Sequence, residues 1–331
     1  MEPGRRRGDD RGTRTLGTLT TSDIGYGAMA LVPGMYGDSS DEQAIGTLEH
    51  AVAAGATFLD TADAYGAGDN ERLVGRAIAG RRDDVQLATK WGIVFTGGRA
   101  LAHHHAQEIR VDARPERARE ALESSLERLG VDHVDLWYLH FPDPAVPVEE
   151  TVGAMAELVA EGKARHLGLC NATAEQVLAA HQVHPLAAVQ SEYSLWTRDP
   201  EHELLPVLAE LGVGFVPWSP LGAGFFAGAV QDAEHDFRAN HPRFSRENLA
   251  ANRDRFAPLR AIADELDITP AQLALAWLLH QREDVVPIPS TRTASHLDEN
   301  LAAAHVTLDA DTLRRIDELA PAGAASGSAL L

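Results

Sequence analysis

The feature that most constrains this chain is an alternation. Short apolar runs of strand length recur eight times, and an amphipathic helix follows most of them. The runs are 24–28, 57–59, 85–89, 134–138, 166–169, 188–190, 214–217 and 285–288. Between them, Ser40 and Gln43 form a capping box ahead of Ala44, Ile45, Leu48, Ala51 and Val52. Ala118, Leu122, Leu126 and Leu129 share one helical face that halts at Gly130, and Val148, Val152, Met155 and Val159 share another that halts at Gly162. Thr269-Pro270 opens a further helix, with proline at its favoured first position. Strands separated by helices pair in parallel, and eight such units without a break in composition predict an α/β fold, the (β/α)8 TIM barrel. A doubly wound dinucleotide-binding sheet would carry a glycine-rich turn after its first strand. Gly25 and Gly27 lack the third glycine, and Gly222-Ala-Gly224 comes far too late.

The remaining segments take their places around that barrel. TRTLGTLTTSD reads as a hairpin about Gly17, and the connections 91–113 and 222–250 are long enough to cover a substrate. Residues 1–14 read as a disordered basic arm, 15–320 as one barrel domain and 321–331 as a flexible tail. The arginines near the start have no apolar stretch behind them, so they do not make a signal peptide. No apolar run approaches the roughly 18–20 residues of a spanning helix, so no membrane partner is expected. The net charge of −20 argues against nucleic acid as a partner. The one cysteine, Cys170, has no internal disulfide partner, and a reducing, cytoplasmic setting is expected.

In a barrel, residues at the C-terminal strand ends converge on one mouth. Asp60 ends the second run, Tyr65 lies in the loop behind it, Lys90 ends the third run and His140 the fourth. Asn70 is placed to cap the helix that carries Leu73, Val74, Ala77 and Ile78. Each polar group has an ordinary reading, as a helix cap, a rim aromatic, a solvated strand end or a core histidine. Together they describe an acid. An ammonium beside a phenol stabilises the phenolate and lowers its pKa, a carboxylate fixes the ammonium, and an imidazole hydrogen-bonds the oxygen being protonated. That set suits protonation of a carbonyl oxygen as hydride reaches its carbon. The triplet His103-His104-His105 suggests metal only weakly, since HExxH and paired cysteines are missing, and no metal is expected.

These motifs resemble the aldo-keto reductase family from about Thr15 to Leu319: GATFLDTADAYGAGDNERLVGRAI its strand-2 signature, ATKWG its lysine motif and LGVDHVDLWYLH its histidine motif. PRFSRENL and SPLGAGFFAG are most like the bacterial and plant carbonyl-reductase branch that includes perakine-reductase-like enzymes. The resemblance implies NADPH, in preference to NADH, held extended across the mouth, and a small carbonyl compound as substrate. It places Asp60, Tyr65, Lys90 and His140 as the catalytic set. Cys170, Asn171 and Gln190 would meet the nicotinamide carboxamide, and Trp218 would stack on the ring in place of the usual tyrosine. Ser219, Leu221 and Gly222 would form the pyrophosphate turn. Ser290, Thr291 and Arg292 would meet the 2′-phosphate, with His296 standing where many members have arginine, and Glu299 and Asn300 would meet the adenine. Cys170 replaces the usual serine and is the poorer donor. Trp91, Phe141 and Phe225 are expected to line an apolar substrate pocket. Other readings are a cofactor-sensing protein like the potassium-channel β-subunits and a Schiff-base lysine at Lys90. No Tyr-x-x-x-Lys occurs, which excludes a short-chain dehydrogenase.

Overall fold

The computed structural model describes residues 12–37, 39–104, 107–228, 230 and 236–330. The chain opens with a hairpin, β1 (Thr13–Leu16) paired antiparallel with β2 (Leu19–Ser22). Gly17 turns it at φ +58°, where a Cβ would lie 3.0 Å from the Cα of Ala187. The barrel then begins with β3 (Tyr26–Gly27), β4 (Phe58–Asp60) and β5 (Gln86–Trp91). Behind β5 the long connection folds into its own antiparallel sheet of β6 (Ile93–Val94), β7 (Arg99–His104) and β8 (Gln107–Val111). The barrel resumes with β9 (Val134–Leu139), β10 (Ala164–Cys170), β11 (Leu186–Glu192) and β12 (Gly214–Trp218). Among the described residues these seven form one parallel sheet in the order β12-β11-β10-β9-β5-β4-β3.

The eighth run closes the cylinder without becoming a regular strand. Val286 and Ile288 donate their N–H groups to Phe215 and Pro217 of β12, at 2.9 and 3.3 Å. On the other side Gly25 and Gly27 donate to the carbonyls of Pro287 and Pro289, at 2.9 and 3.3 Å. Both prolines lack the N–H that would complete the ladder, so half of this seam is missing by chemistry. The same deficit explains why β3 spans two residues where five were expected. Gly27 is required by close approach, because a Cβ there would meet the carbonyl oxygen of Ile288 and the Ser290 hydroxyl, each at 2.8 Å.

The helices are α1 (Asp41–Ala54), α2 (Asp69–Ala77), α3 (Pro115–Leu129), α4 (Val148–Ala160), α5 (Ala174–Val183) and α6 (Leu204–Leu211). They continue with α7 (Arg246–Phe256), α8 (Leu259–Glu265), α9 (Pro270–Leu279), α10 (Ala294–Ala302) and α11 (Ala310–Leu319). The expected capping box at Ser40 is present, Thr269-Pro270 opens α9 as expected and adds a capping box with Gln272, and left-handed glycines end α1, α3 and α6. Asn70 is not the cap of α2. Gly68 takes that place, and Asn70 turns inward, donating to the Ala28 carbonyl at 3.0 Å and accepting from Thr61 Oγ1 at 2.7 Å.

Two apolar layers result. The outer one, between sheet and helices, holds Trp137, Leu139, Val152, Met155 and Trp277 among many others. The inner one fills the cylinder with Phe58, Ala88, Leu136, Tyr138, Cys170, Ala188, Val216 and Val286, and Leu16 and Leu19 of the hairpin plug its lower end. The boundaries expected for both ends of the chain need correcting. Residues 1–11 lie outside the described part, but Thr13 and Arg14 already belong to β1. The segment after α11 is bonded to the body of the protein as far as Leu330, which is 4% exposed.

Candidate active site

Side chains alternate sides along a strand, so any residue an even number of positions from an interior residue also faces inward. Asp60 stands two beyond Phe58, Lys90 two beyond Ala88, His140 two beyond Tyr138 and Gln190 two beyond Ala188. Four strands thereby raise four polar groups into the upper end of the cylinder. The same rule corrects the substrate pocket expected at Trp91. Next to Lys90, it points the opposite way, fully buried in the outer layer and stacked on Trp137 with ring centroids 5.5 Å apart.

At the bottom of the mouth Lys90 is fully buried, and its three ammonium donors have three acceptors. One is Asp60 Oδ1 in a short ion pair, the second the Thr61 carbonyl at 2.9 Å and the third Tyr65 Oη at 3.4 Å. The second oxygen of Asp60 accepts from Gln190 Nε2 at 2.9 Å, reaching from the far side of the barrel. Burial is the largest single influence on Lys90 and lowers its pKa, but Asp60, with Tyr65 and Cys170, together outweigh it and hold the ammonium above its ordinary range. The Tyr65 phenol moves upward as well. Burial drives it, and Lys90 pulls against it without prevailing, so the net direction is the reverse of the lowering expected from the ammonium alone. The His140 ring stands edge-on to Tyr65 at 6.0 Å and stacks on Phe141 at 5.4 Å.

Above this cluster lies a cavity of about 1220 Å³. Its floor holds Asp60, Tyr65, His140, Phe141, Asn171 and Gln190. Trp218 adds an indole face, fixed by a 3.0 Å hydrogen bond from Nε1 to Asn171 Oδ1. Ser219 and Leu221 continue the wall. The far end is lined by Ser290, Thr291, Arg292, His296, Glu299 and Asn300. That end is braced by Tyr26 Oη on the Thr291 carbonyl at 2.5 Å, Ser290 Oγ on Gly27 at 2.7 Å and Thr47 Oγ1 on Arg292 at 3.2 Å. The N-terminus of α10 opens there without a side-chain cap.

Several expected contacts are not among the lining residues. Cys170 lies beneath the floor in the inner apolar layer, where burial pushes its thiol well up. Gly222 turns at φ +58° with its Cα hydrogens toward Trp196, where a Cβ would come within 2.7 Å of the ring. Phe225 stacks on the other side of this turn against Trp196, at 4.7 Å. Neither lines the cavity, although Leu221, Ala223 and Gly224 beside them do. His105 lies outside the described residues, and no group of His, Cys, Asp and Glu fit for a metal occurs among the described ones.

Other parts of the wall come from residues that sequence reasoning did not single out, some of them inside the connections 91–113 and 222–250 expected to cover the substrate. The segment 28–40 contributes Met29, Val32 and Tyr36, and its length, beyond the ordinary connection of roughly 2–6 residues, was a usable signal. The small sheet contributes Ile93, Val94 and Ile109, followed by Phe95, 64% exposed. Arg238 closes the rim, its guanidinium 5.6 Å from the Tyr36 ring and paired with Asp236. Leu330 lines the same cavity, and nothing local in the sequence marks it.

The comparisons with known proteins agree with one another. The model of the Aldo/keto reductase family matches residues 23–321. A soybean (Glycine max) protein described as "Probable aldo-keto reductase 1" is 44% identical over 319 residues, covering 94% of this chain and 90% of its own length. The glycerol dehydrogenase AKR11B4 from Gluconobacter oxydans superimposes with a TM-score of 0.82 at 26% identity, over 93% of this chain and 94% of that one. An aldo/keto reductase from Klebsiella pneumoniae, solved in complex with NADP and acetate, gives a TM-score of 0.70 at 29% identity, over 94% and 96%. No helix among the described residues is long and apolar enough to cross a membrane.

Proposed function

The chain belongs to the aldo/keto reductase family, and on that premise we propose that it reduces an aldehyde or ketone to the alcohol with NADPH, Tyr65 acting as the acid. The observation that carries this reading is the contact of 3.4 Å between Lys90 Nζ and Tyr65 Oη, at the floor of a cavity and backed by Asp60. The cavity suits a dinucleotide. One end offers the flat indole of Trp218 beside the amide of Asn171, and the other a helix N-terminus beside Arg292 and His296. Helix N-termini and guanidinium groups both favour phosphate. This supports NADPH over NADH, as does the NADP in the Klebsiella relative. When bound, the cofactor supplies hydride to the carbonyl carbon.

The chain's own residues do the rest. His140 and Tyr65 flank the place of the carbonyl oxygen, and Tyr65 gives that oxygen its proton. Lys90 steadies the phenolate left behind, and Asp60, braced by Gln190, keeps Lys90 charged and in place. The elevated phenol pKa keeps Tyr65 protonated through neutral pH, so the proton is available over the whole physiological range. Ile93, Val94, Phe95, Ile109 and Phe141 give the substrate end an apolar wall, which favours aromatic or aliphatic carbonyls.

The test is a fluorescence titration with NADPH and NADH followed by turnover on a carbonyl panel. Tyr65→Phe should keep the NADPH affinity of the parent and lose about 100- to 10,000-fold in kcat. A variant that turns over normally would refute the assignment of Tyr65, and a single slow oxidation of bound NADPH would favour a sensor over an enzyme.

A further inference from the structure

The segment after α11 returns across the barrel mouth instead of hanging free. Arg198 holds its start, donating to the Ala320 carbonyl at 2.9 Å. Asn252 of α7, fully buried, exchanges two hydrogen bonds with the backbone of Ser326, at 2.7 and 3.1 Å. His241 donates its Nε2 proton to the Ala329 carbonyl at 2.9 Å. Gly327 sits against Arg243, whose backbone N would be 2.7 Å from any Cβ there, and Arg243 Nε reaches the Gly327 carbonyl at 3.3 Å. The last bond is the most telling. The Leu330 N–H donates at 2.7 Å to Glu192 Oε2, a carboxylate in the protein interior.

Glu192 ends β11 two residues beyond Gln190 and pairs in register with Trp218. It therefore stands one layer above the polar floor, at the end of the cavity where Tyr65 and His140 lie. Its other oxygen accepts from Thr197 Oγ1 at 2.7 Å and lies 3.6 Å from Arg243, whose guanidinium rests 5.0 Å from the Trp196 ring. A carboxylate and a guanidinium, both buried, are costly to desolvate, and removing one leaves the other as a buried, unpaired charge. Glu192 does not line the cavity, whereas Leu330, which it holds, does.

We propose that Glu192 and Arg243 are positioning residues that fasten segment 326–330 over the mouth, so that Leu330 becomes a specificity-determining wall of the carbonyl pocket. The assignment of the pocket to a carbonyl substrate rests on the function proposed above. The latch itself rests only on the bonds described here.

The experiment compares the full-length parent with Glu192→Gln, Leu330→Ala and Leu330→Pro. The readouts are hydrogen exchange of residues 326–330, NADPH affinity by fluorescence, and KM and kcat for an aryl methyl ketone and for propanal. In Glu192→Gln, loss of a charge-assisted bond should speed exchange of the segment by about tenfold or more. KM for the aryl ketone should rise by a similar factor, with kcat changing far less and NADPH affinity staying within about twofold. Leu330→Pro removes the N–H that Glu192 accepts together with the leucine side chain, so it is read by exchange at 326–329 alone, which should be faster even if Glu192→Gln folds poorly. Leu330→Ala keeps that N–H and should shift the preference between aryl ketone and propanal with exchange unchanged. Unchanged exchange in both Glu192→Gln and Leu330→Pro overturns the latch. Faster exchange with unaltered KM for both carbonyls overturns the role of Leu330. A parent that reduces no carbonyl overturns the functional reading and the Leu330 assignment with it, while the exchange data still decide the latch.

Discussion

The two ends of the same barrel are built on opposite principles. At the lower end Leu16 and Leu19 of the hairpin join one apolar cluster with Phe58, Ala187 and Val286. At the upper end the same strands carry Asp60, Lys90, His140 and Gln190 beneath a large cavity. Backbone strain is distributed just as unevenly. Of the five described non-glycine residues with positive φ, four (Ala67, Asn171, Ser219 and Ala223) lie in loops at the mouth. Left-handed backbone disfavours these side chains by roughly 1–2 kcal/mol per residue. The comparison teaches that one end supplies stability from packing, and the other holds charge and strain in fixed positions.

Three sites probe that division, from the largest expected effect to the smallest, the first with a compensating second substitution. Lys90→Met should strike both properties at once. Asp60 is left as a buried, unpaired charge, which costs about 3–5 kcal/mol of unfolding free energy in urea melts. Turnover should fall by at least about 100-fold. Adding Asp60→Asn should restore much of the stability and none of the turnover, and recovery of both would break the comparison.

Leu16→Ala should cost about 2–5 kcal/mol through loss of apolar contact and an unfilled cavity at the lower end. Its kcat should stay within about twofold of the parent below the melting range, because the plug and the acid share no partner. A large fall in kcat would show that the ends are coupled through the cylinder.

The third probe is Asp63, two residues before Tyr65. Burial, followed by the nearby Glu71 carboxylate, pushes the Asp63 carboxyl up to about 7 against the pull of Arg128, and its Oδ1 is buried without a hydrogen-bond partner. The folded state thus keeps a proton that the unfolded chain releases near pH ~4, so stability should fall as pH rises from about 4 to 7 and then level off. Asp63→Asn mimics the protonated form. It should change little near pH 4 and stabilise by roughly a few kcal/mol at pH 8. Equal effects at both pH values would contradict a proton held at Asp63.

Much of the upper end was legible beforehand, and the departures have separate origins. Asp60, Lys90 and His140 follow from their positions at strand ends, and the structure brings all three together with Tyr65. Trp91 was misplaced because strand-end position was used without the twofold alternation, which sends neighbours to opposite faces. Cys170 and Gly222 were assigned by motif position and Phe225 as an apolar pocket residue, yet none lines the cavity, lying beneath the floor or against Trp196. The eighth strand was legible as a run, while its incomplete ladder was written in Pro287 and Pro289 all along.

By itself the sequence determined the alternation of strands and helices, hence the parallel barrel, the end of each strand at which chemistry collects, and the helix caps at Ser40 and Thr269. These are local matters of periodicity and hydrogen-bonding residues, which a single strand or turn decides alone. Only the tertiary structure decided that Gln190 braces Asp60 from across the barrel, that Tyr65 rises in pKa despite its ammonium neighbour, and that Leu330 reaches a cavity whose floor begins at Asp60. Each depends on groups distant along the chain sharing one desolvated space, and neither propensity nor spacing records how much water that space retains.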